Sequence, residues 1–331
     1  MKNKIFLYSL TSLAVTASAL AHADEGVYVP TLEGGLTASV GTFYVTPTSD
    51  FEGYTTFSNG NNLTSVEHVD PGYQFGIDAS LGYIFEETAN SVELFWRNIS
   101  TSDTGSATAT KPTFFPDVDG DGVFTGDIGY ELDSFDLMFS QFVNLGEVMQ
   151  LRLLGGLAYV DLENSETAVF YPSSKGDSTE TFQSHSKFEG WGPRVGIDTR
   201  YGFGDDIDGL GIVGGGSMAY YLGDMDISGN RDIGTSTNSS EDNPGNHAVL
   251  NFRANLGLDY VYFFDNDEGS TLGLELGYLI DFYDDGVATS GSGSTFTAAD
   301  APQTQLSNLG GSASTGSLSF AGPYLNLKGV F

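Results

Sequence analysis

The feature that most constrains this chain is a hydrophobic period of two residues held over unusually long stretches. Tyr73, Phe75, Ile77, Ala79, Leu81, Tyr83 and Phe85 form one apolar face, with Gln74, Gly76, Asp78, Ser80 and Gly82 between them. Leu250, Phe252, Ala254, Leu256, Leu258, Tyr260, Tyr262 and Phe264 alternate with Asn251, Arg253, Asn255, Gly257 and Asp259 in the same way. Side chains alternate sides along a strand, so such a run is a strand with one dry face. Strands of globular proteins average about 5–6 residues. These are about two to three times longer, as suits a tilted strand that crosses a bilayer and continues beyond it.

Ten such strands are predicted, at 34–46, 72–85, 90–100, 128–142, 147–161, 186–203, 209–223, 248–264, 270–283 and 319–331. Short turns near 86–90, 144–147, 204–208 and 265–270 alternate with long polar connections at 47–71, 101–127, 162–185, 224–247 and 284–318. That order describes an all-β, transmembrane, antiparallel up-and-down β-barrel, with short periplasmic turns and long extracellular loops. A soluble sandwich has no reason to alternate short and long connections. The last strand carries Phe331, Gly329, Leu327, Leu325, Pro323 and Ala321 on one face, and Val330, Lys328, Asn326 and Tyr324 on the other. Outer-membrane barrels end on such a strand, and Phe331 is read as the assembly signal for the barrel assembly machinery.

The start of the chain agrees. Lys2 and Lys4 precede an uncharged run from Ile5 to Leu20, then Ala21-His22-Ala23, Asp24 and Glu25. A basic start, a short apolar core and a small-x-small exit make a secretory signal peptide. Residues 1–23 are assigned to it, and 24–331 to the barrel domain. There is no cysteine. The formal net charge is −32, which repels nucleic acid and favours cations.

The basic residues well inside the predicted strands are Arg97, Arg152, Arg194, Arg200, Arg253 and Lys328, and all fall on the face assigned to the lumen. Asp78, Glu93, Asp136, Asp198, Asp259, Glu275 and Asp281 share it. A charge on the lipid face near mid-membrane costs about 2–4 kcal/mol, so its avoidance there is physical. These residues are the candidate lumen lining. Tyr44, Tyr83, Trp96, Tyr130, Trp191, Tyr201, Tyr260 and Tyr278, near strand ends, suit aromatic girdles.

Several segments carry a family resemblance. They are Gly-Leu-Thr-Ala-Ser from Gly35, Asp70-Pro71-Gly72-Tyr73-Gln74-Phe75-Gly76, Phe188-Glu189-Gly190-Trp191-Gly192-Pro193-Arg194-Val195-Gly196-Ile197-Asp198, and the Phe331 end. Over most of its length the chain resembles the Legionella-type major outer membrane protein family, a group described as pore-forming. The resemblance implies a barrel in the outer membrane and a porin role. It supplies no catalytic signature.

Two other constellations stand apart. Asp117, Asp119 and Asp121 occupy positions one, three and five of an acidic loop, with Gly122 at six and the Val123 carbonyl at seven. That is the first half of an EF-hand calcium loop. The twelfth position of the loop at 117–128 is Ile128 where a Glu belongs, so Ca2+ is a candidate ligand and no cofactor is required. His68, His185 and His247 sit where long connections meet strands. A rim enzyme or zinc site built on them, such as His68 with Asp70, has no motif behind it, and the chain is read as no enzyme. The Ser/Gly-rich stretch from Thr289 to Ser317 reads as an external loop, or as a constriction folded into the lumen.

The expected function is passive diffusion of small hydrophilic solutes with cation preference. The alternative is a non-conducting structural or adhesive barrel whose acidic loops bind cations, lipopolysaccharide or a host partner. Eight strands only just fill with side chains, so ten strands lined by ion pairs leave both open. Expected partners are outer-membrane lipid and lipopolysaccharide, small solutes and further copies of the chain, with nucleic acid excluded.

Overall fold

The computed structural model describes residues 27–331 except 31, 33, 51–52, 60–61, 69–70, 111–120, 174–178, 205–208, 233–236, 265–269 and 291–313; side chains at 53–59, 62–68, 107–110, 121, 124, 238, 244 and 314 are also left aside. The predicted signal peptide, Asp70, Asp117 and Asp119 lie outside the described residues. Its strands are β1 (Val27–Tyr28), β2 (Gly35–Ser49), β3 (Gly53–Asn59), β4 (Asn62–His68), β5 (Gln74–Ile84), β6 (Asn90–Thr110), β7 (Asp121–Leu145), β8 (Met149–Pro172), β9 (Glu180–Gly202), β10 (Gly209–Asp232), β11 (Thr237–Phe263), β12 (Thr271–Thr289) and β13 (Ser314–Val330).

Ten of these close a barrel. Each of β5 to β13 pairs antiparallel with its sequence neighbour, β2 pairs with β5, and β13 returns to β2. At the seam Leu36 and Phe331 exchange both backbone hydrogen bonds at 2.9 Å. Closure leaves no unpaired edge inside the hydrocarbon, the only way a sheet can cross it. No helix of the described residues is long and apolar enough to cross a membrane. The predicted strands are all present. The hairpin β3–β4 forms a separate two-stranded sheet, and β1 extends the periplasmic rim beside β7.

Three predicted loops are corrected. Most of 101–127, 162–185 and 224–247 is strand, because β6–β7, β8–β9 and β10–β11 stay paired to Thr110↔Asp121, Phe170↔Glu180 and Asp232↔Thr237. The physical reason is an inversion of the faces. Low on β7, Phe135, Leu137 and Phe139 point outward while Asp136 is buried. Above Ser134 the buried residues are Leu132, Tyr130 and Ile128, and the outward ones include Asp133, Glu131 and Asp127. In the membrane the outside is oil; above it the outside is water and the inside must be the dry side. The period of two continues while its phase reverses, so a reading that fixes apolar residues outward ends the strand there. Tyr130, expected in the girdle, is for the same reason fully buried in the upper core.

The outer wall reads as a membrane belt. Leu81, Leu94, Leu137, Leu157, Leu222, Leu256, Leu276 and Leu325 are exposed on it. Two outward hydroxyls are tied to the sheet: Thr42 Oγ1 donates to Gly76 O at 3.0 Å and Thr199 Oγ1 to Gly214 O at 3.2 Å. Trp96, Phe135, Tyr159 and Trp191 form one cross-strand row at the outer interface, with Trp96 and Phe135 stacked and Tyr159 and Trp191 in tilted contact. Tyr83–Phe85, Tyr201–Phe203 and Tyr262–Phe264 form edge-on pairs at the periplasmic side. Because the chain lacks cysteine, sidedness is directly testable. Tyr171→Cys, outward on the upper wall, should react with a membrane-impermeant maleimide on intact cells. Glu147→Cys, in the turn between β7 and β8, should not react until the outer membrane is opened.

Candidate functional site

The lumen holds every residue assigned to it from sequence, and most are ion-paired. At mid-height three arginines meet three aspartates. Arg97 bonds Asp78 (3.3 Å) and Asp281 (3.0 Å); Arg253 bonds Asp281 (3.0 Å) and Asp136 (3.1 Å); Arg194 lies 3.3 Å from Asp136. Arg194 also donates to Asn251 Oδ1 at 2.8 Å, and Asn251 Nδ2 donates to Asp281 Oδ1 at 2.7 Å, which closes a ring. The ring joins β6 to β12 and β7 to β11, strands on opposite sides of the barrel. A buried charge is tolerable only when paired. Here the charges of the layer cancel, and Asp281 has no exposed side-chain surface.

Aromatic rings complete the layer. Arg97 lies over Phe43 and Phe95 (5.1 and 5.3 Å), and Arg253 over Phe95 (5.4 Å). Arg194 donates to the Tyr221 hydroxyl at 2.6 Å. Sequence reasoning missed Phe43, Phe95 and Tyr221 as lumen residues, because it took aromatic for lipid-facing; Tyr324 it placed on the lumen side with Asn326 and Lys328. Counting by two from Arg97 places Phe95 on the lumen face, so the signal was present. Gly41 makes room for the layer: a Cβ there would overlap the Asp78 carboxylate. Gly41→Val should therefore part Asp78 from Arg97 and destabilise the barrel by about 1–3 kcal/mol, the usual range for overpacking, read by urea unfolding in lipid vesicles.

A lower layer lies toward the periplasm. Arg152 bridges Glu93 (2.8 Å) and Asp198 (2.7 Å), Arg200 bonds Asp259 (2.6 Å), and Glu275 takes Lys328 and the Tyr324 hydroxyl. Water reaches this layer: the Lys328 side chain is 53% exposed, Asp198 37% and Arg152 30%. The middle layer is dry by comparison.

An apolar layer lies above the ions, with polar groups buried beyond it that include the Arg231–Glu180 pair (3.0 Å). Ile99, Ile128, Leu132, Val160, Leu162, Phe170, Phe188, Met225, Val249, Leu318 and Phe320 are buried in the apolar layer as one cluster. The end of β12 covers part of it. The register breaks between Tyr283 and Val287, Asp285 takes a positive φ of 56°, and Val287 to Ser290 turn inward, buried. Ala288 N–H donates to Ser186 Oγ (3.0 Å), Ser290 N–H to Ser184 Oγ (2.9 Å), and Asn164 Nδ2 to Ala288 O (3.5 Å). So the first residues of the Ser/Gly-rich stretch do enter the lumen, and 291–313 lie outside the described residues.

The other candidates are less assembled. Asp121 begins β7 and Val123 sits within it, paired to Thr108 and Tyr171, so the two occupy regular strand; the rest of that candidate loop up to residue 120 is not described. His185 lies 3.7 Å from Glu163, and His247 Nε2 is 2.8 Å from Asp285 O. Among the described residues no three His, Asp or Glu side chains converge as a metal site. On the outer wall Lys187 is held between Glu189 (2.6 Å) and Asp161 (3.1 Å). Hydrogen bonding to Glu189 foremost keeps its ammonium above the ordinary lysine range.

Comparison with known proteins places this geometry. Residues 28–331 match the family model described as Legionella pneumophila major outer membrane protein precursor. Among solved structures, the Escherichia coli outer membrane protease OmpT matches at 10% identity over 91% of this chain and 99% of that one, with a TM-score of 0.45. The Pseudomonas putida toluene transporter TodX matches at 9% identity over 95% and 91%, with a TM-score of 0.29. A Pseudomonas aeruginosa FadL homologue matches at 10% over 95% and 91%, with a TM-score of 0.23. A search of the curated proteins found no match. With its ten-stranded barrel, its belt and a family match over nearly its whole length, this outer-membrane chain belongs to the Legionella pneumophila major outer membrane protein family.

Proposed function

We propose that this protein is a structural surface barrel of the outer membrane, closed to free diffusion in the conformation described. The observation that carries this reading is the ionic ring joining opposite walls at mid-lumen, with a buried apolar layer above it. The charged side chains of the ring are at most 12% exposed, and parting buried ion pairs to admit a hydrated solute is costly. Outer-membrane lipid and lipopolysaccharide surround the belt, and the reading assigns the barrel no catalysis.

One observation favours a second reading, a gated pore: the periplasmic half of the lumen is wet and charged. Small hydrophilic solutes would then pass only when the ring opens. The seven carboxylates against six bases in the two ionic layers would make such a pore cation-preferring. Liposome swelling separates the readings. Vesicles carrying the folded barrel should swell in small sugars and amino acids no faster than empty ones. Swelling at the rate of an open porin would overturn the closed reading.

A further inference from the structure

Two sheet edges of the extracellular wall, on β6 and β11, differ among the described residues. Phe142 N–H donates to Ala89 O at 2.7 Å, and Phe85 N–H donates to Asn90 O at 3.0 Å. Counting by two from these bonds, the odd residues of β6 turn their backbone groups to β7 and the even residues turn theirs to β5. Pairing with β5 ends at Gly76↔Ile99, while pairing with β7 continues to Thr110. Above Ile99, Ser102, Thr104, Ser106, Thr108 and Thr110 therefore present N–H and C=O groups to a side on which no described strand pairs. Thr104 N–H is covered instead by Asp103 Oδ1 at 2.8 Å. The β3–β4 hairpin is a sheet of its own: β3 comes near β6 but does not pair with it.

The edge of β11 above Leu250↔Asp284 is defended. Pro244 lacks an N–H, the β10–β11 register breaks between Met225 and Ile227, and Gly245 has a φ of 74° with its N–H taken by Asn243 Oδ1. Proline, bulges and charges are how natural sheets blunt an edge. From Ser100 to Thr110 β6 has no proline and one charge, Asp103. Its pairing with β7 runs unbroken.

We propose that the free edge of β6 is a docking site that takes an extended peptide bearing basic side chains as an added strand. Only an extended backbone matches a row of alternating donors and acceptors. Charge selects the basic side chains. Asp103 lies on the edge itself, and Asp127 and Glu131 stand outward on the adjacent β7. Lys187, the outward lysine described on this wall, is already ion-paired, and Arg231 is paired inside the barrel with Glu180. A basic residue of the added strand would pair with Asp103 as a strand carbonyl replaces it on Thr104 N–H. The site does not depend on whether the lumen conducts.

The probe is a fluorescein-labelled eleven-residue peptide of alternating Thr and Lys, with a Thr/Glu version and a backbone N-methylated Thr/Lys version as comparisons. Binding to the full barrel in detergent micelles is read by anisotropy. The Thr/Lys peptide should bind saturably, with the other two at least tenfold weaker. Thr104→Pro in β6, shown to be folded by its heat-modifiable gel mobility, should weaken Thr/Lys binding at least tenfold. In the unmodified protein, hydrogen exchange at Ser102 and Ser106 should be fast and should slow when the peptide is added. Equal binding of the N-methylated peptide, or of Thr104→Pro, would overturn the proposal, as would no binding at all. Protection of those amides before any peptide is added would show that the chain's own hairpin fills the edge, and would overturn it too.

Discussion

Asp281→Ala should destabilise the folded barrel by about 3–5 kcal/mol, the usual cost of leaving a buried ionic partner alone. Asp281 accepts from Arg97, Arg253 and Asn251 and is completely buried. Its loss takes one of two carboxylate partners from each of Arg97 and Arg253 and leaves three arginines facing two aspartates in the dry layer of the lumen. Asp281→Asn should do nearly as much damage, because it keeps the shape but not the charge. Lys328→Ala, which removes a half-exposed partner of Glu275, should cost far less, since exposed pairs are worth about 0–1 kcal/mol. Urea unfolding in lipid vesicles, followed by tryptophan fluorescence, checks all three. Both tryptophans, Trp96 and Trp191, sit in the outer girdle row. An Asp281→Ala barrel as stable as the parent would show that the ring does not hold the walls together.

The lipid face should be equally unforgiving. Leu256 is 65% exposed on the outer wall, which in a membrane protein means exposed to acyl chains. Leu256→Arg should cost about 2–4 kcal/mol if the site lies near the midplane, and it should slow insertion. Leu256→Ala, which keeps the face apolar, should insert normally. Equal insertion of the two variants would mean that the lipid and lumen faces of β11 are exchanged.

Both effects rest on a pattern legible in the sequence within the membrane and only there. The ten strands, the closing Phe331 and the inward set from Asp78 to Lys328 follow from one rule: alternate residues meet oil. Above the interface the rule reverses, and Asp133, Asp161 and Glu189 stand outward where Phe135, Tyr159 and Trp191 stood two residues earlier. Read with a fixed assignment of apolar to lipid, β6 to β11 seem to end at that point, and Tyr130 is misplaced. A period of two tested without fixing its phase would have carried the strands upward.

The pairing within the lumen was less accessible. That Arg97 and Asp281 share a face can be counted, but that they meet cannot. They are 184 residues apart, and their contact depends on how far the closed barrel staggers its strands. The same holds for the inward turn of Val287 to Ser290. It requires Asp285 in a left-handed conformation and a row of hydroxyls on the facing strand β9, neither of which a Gly/Ser-rich composition announces.

The central claim is that the lumen is closed. Single-channel recording in a planar bilayer in concentrated KCl tests it most directly, with protein shown to be folded by heat-modifiable mobility. The account predicts no standing conductance from the unmodified barrel. A stable, ohmic open channel from that protein would contradict it.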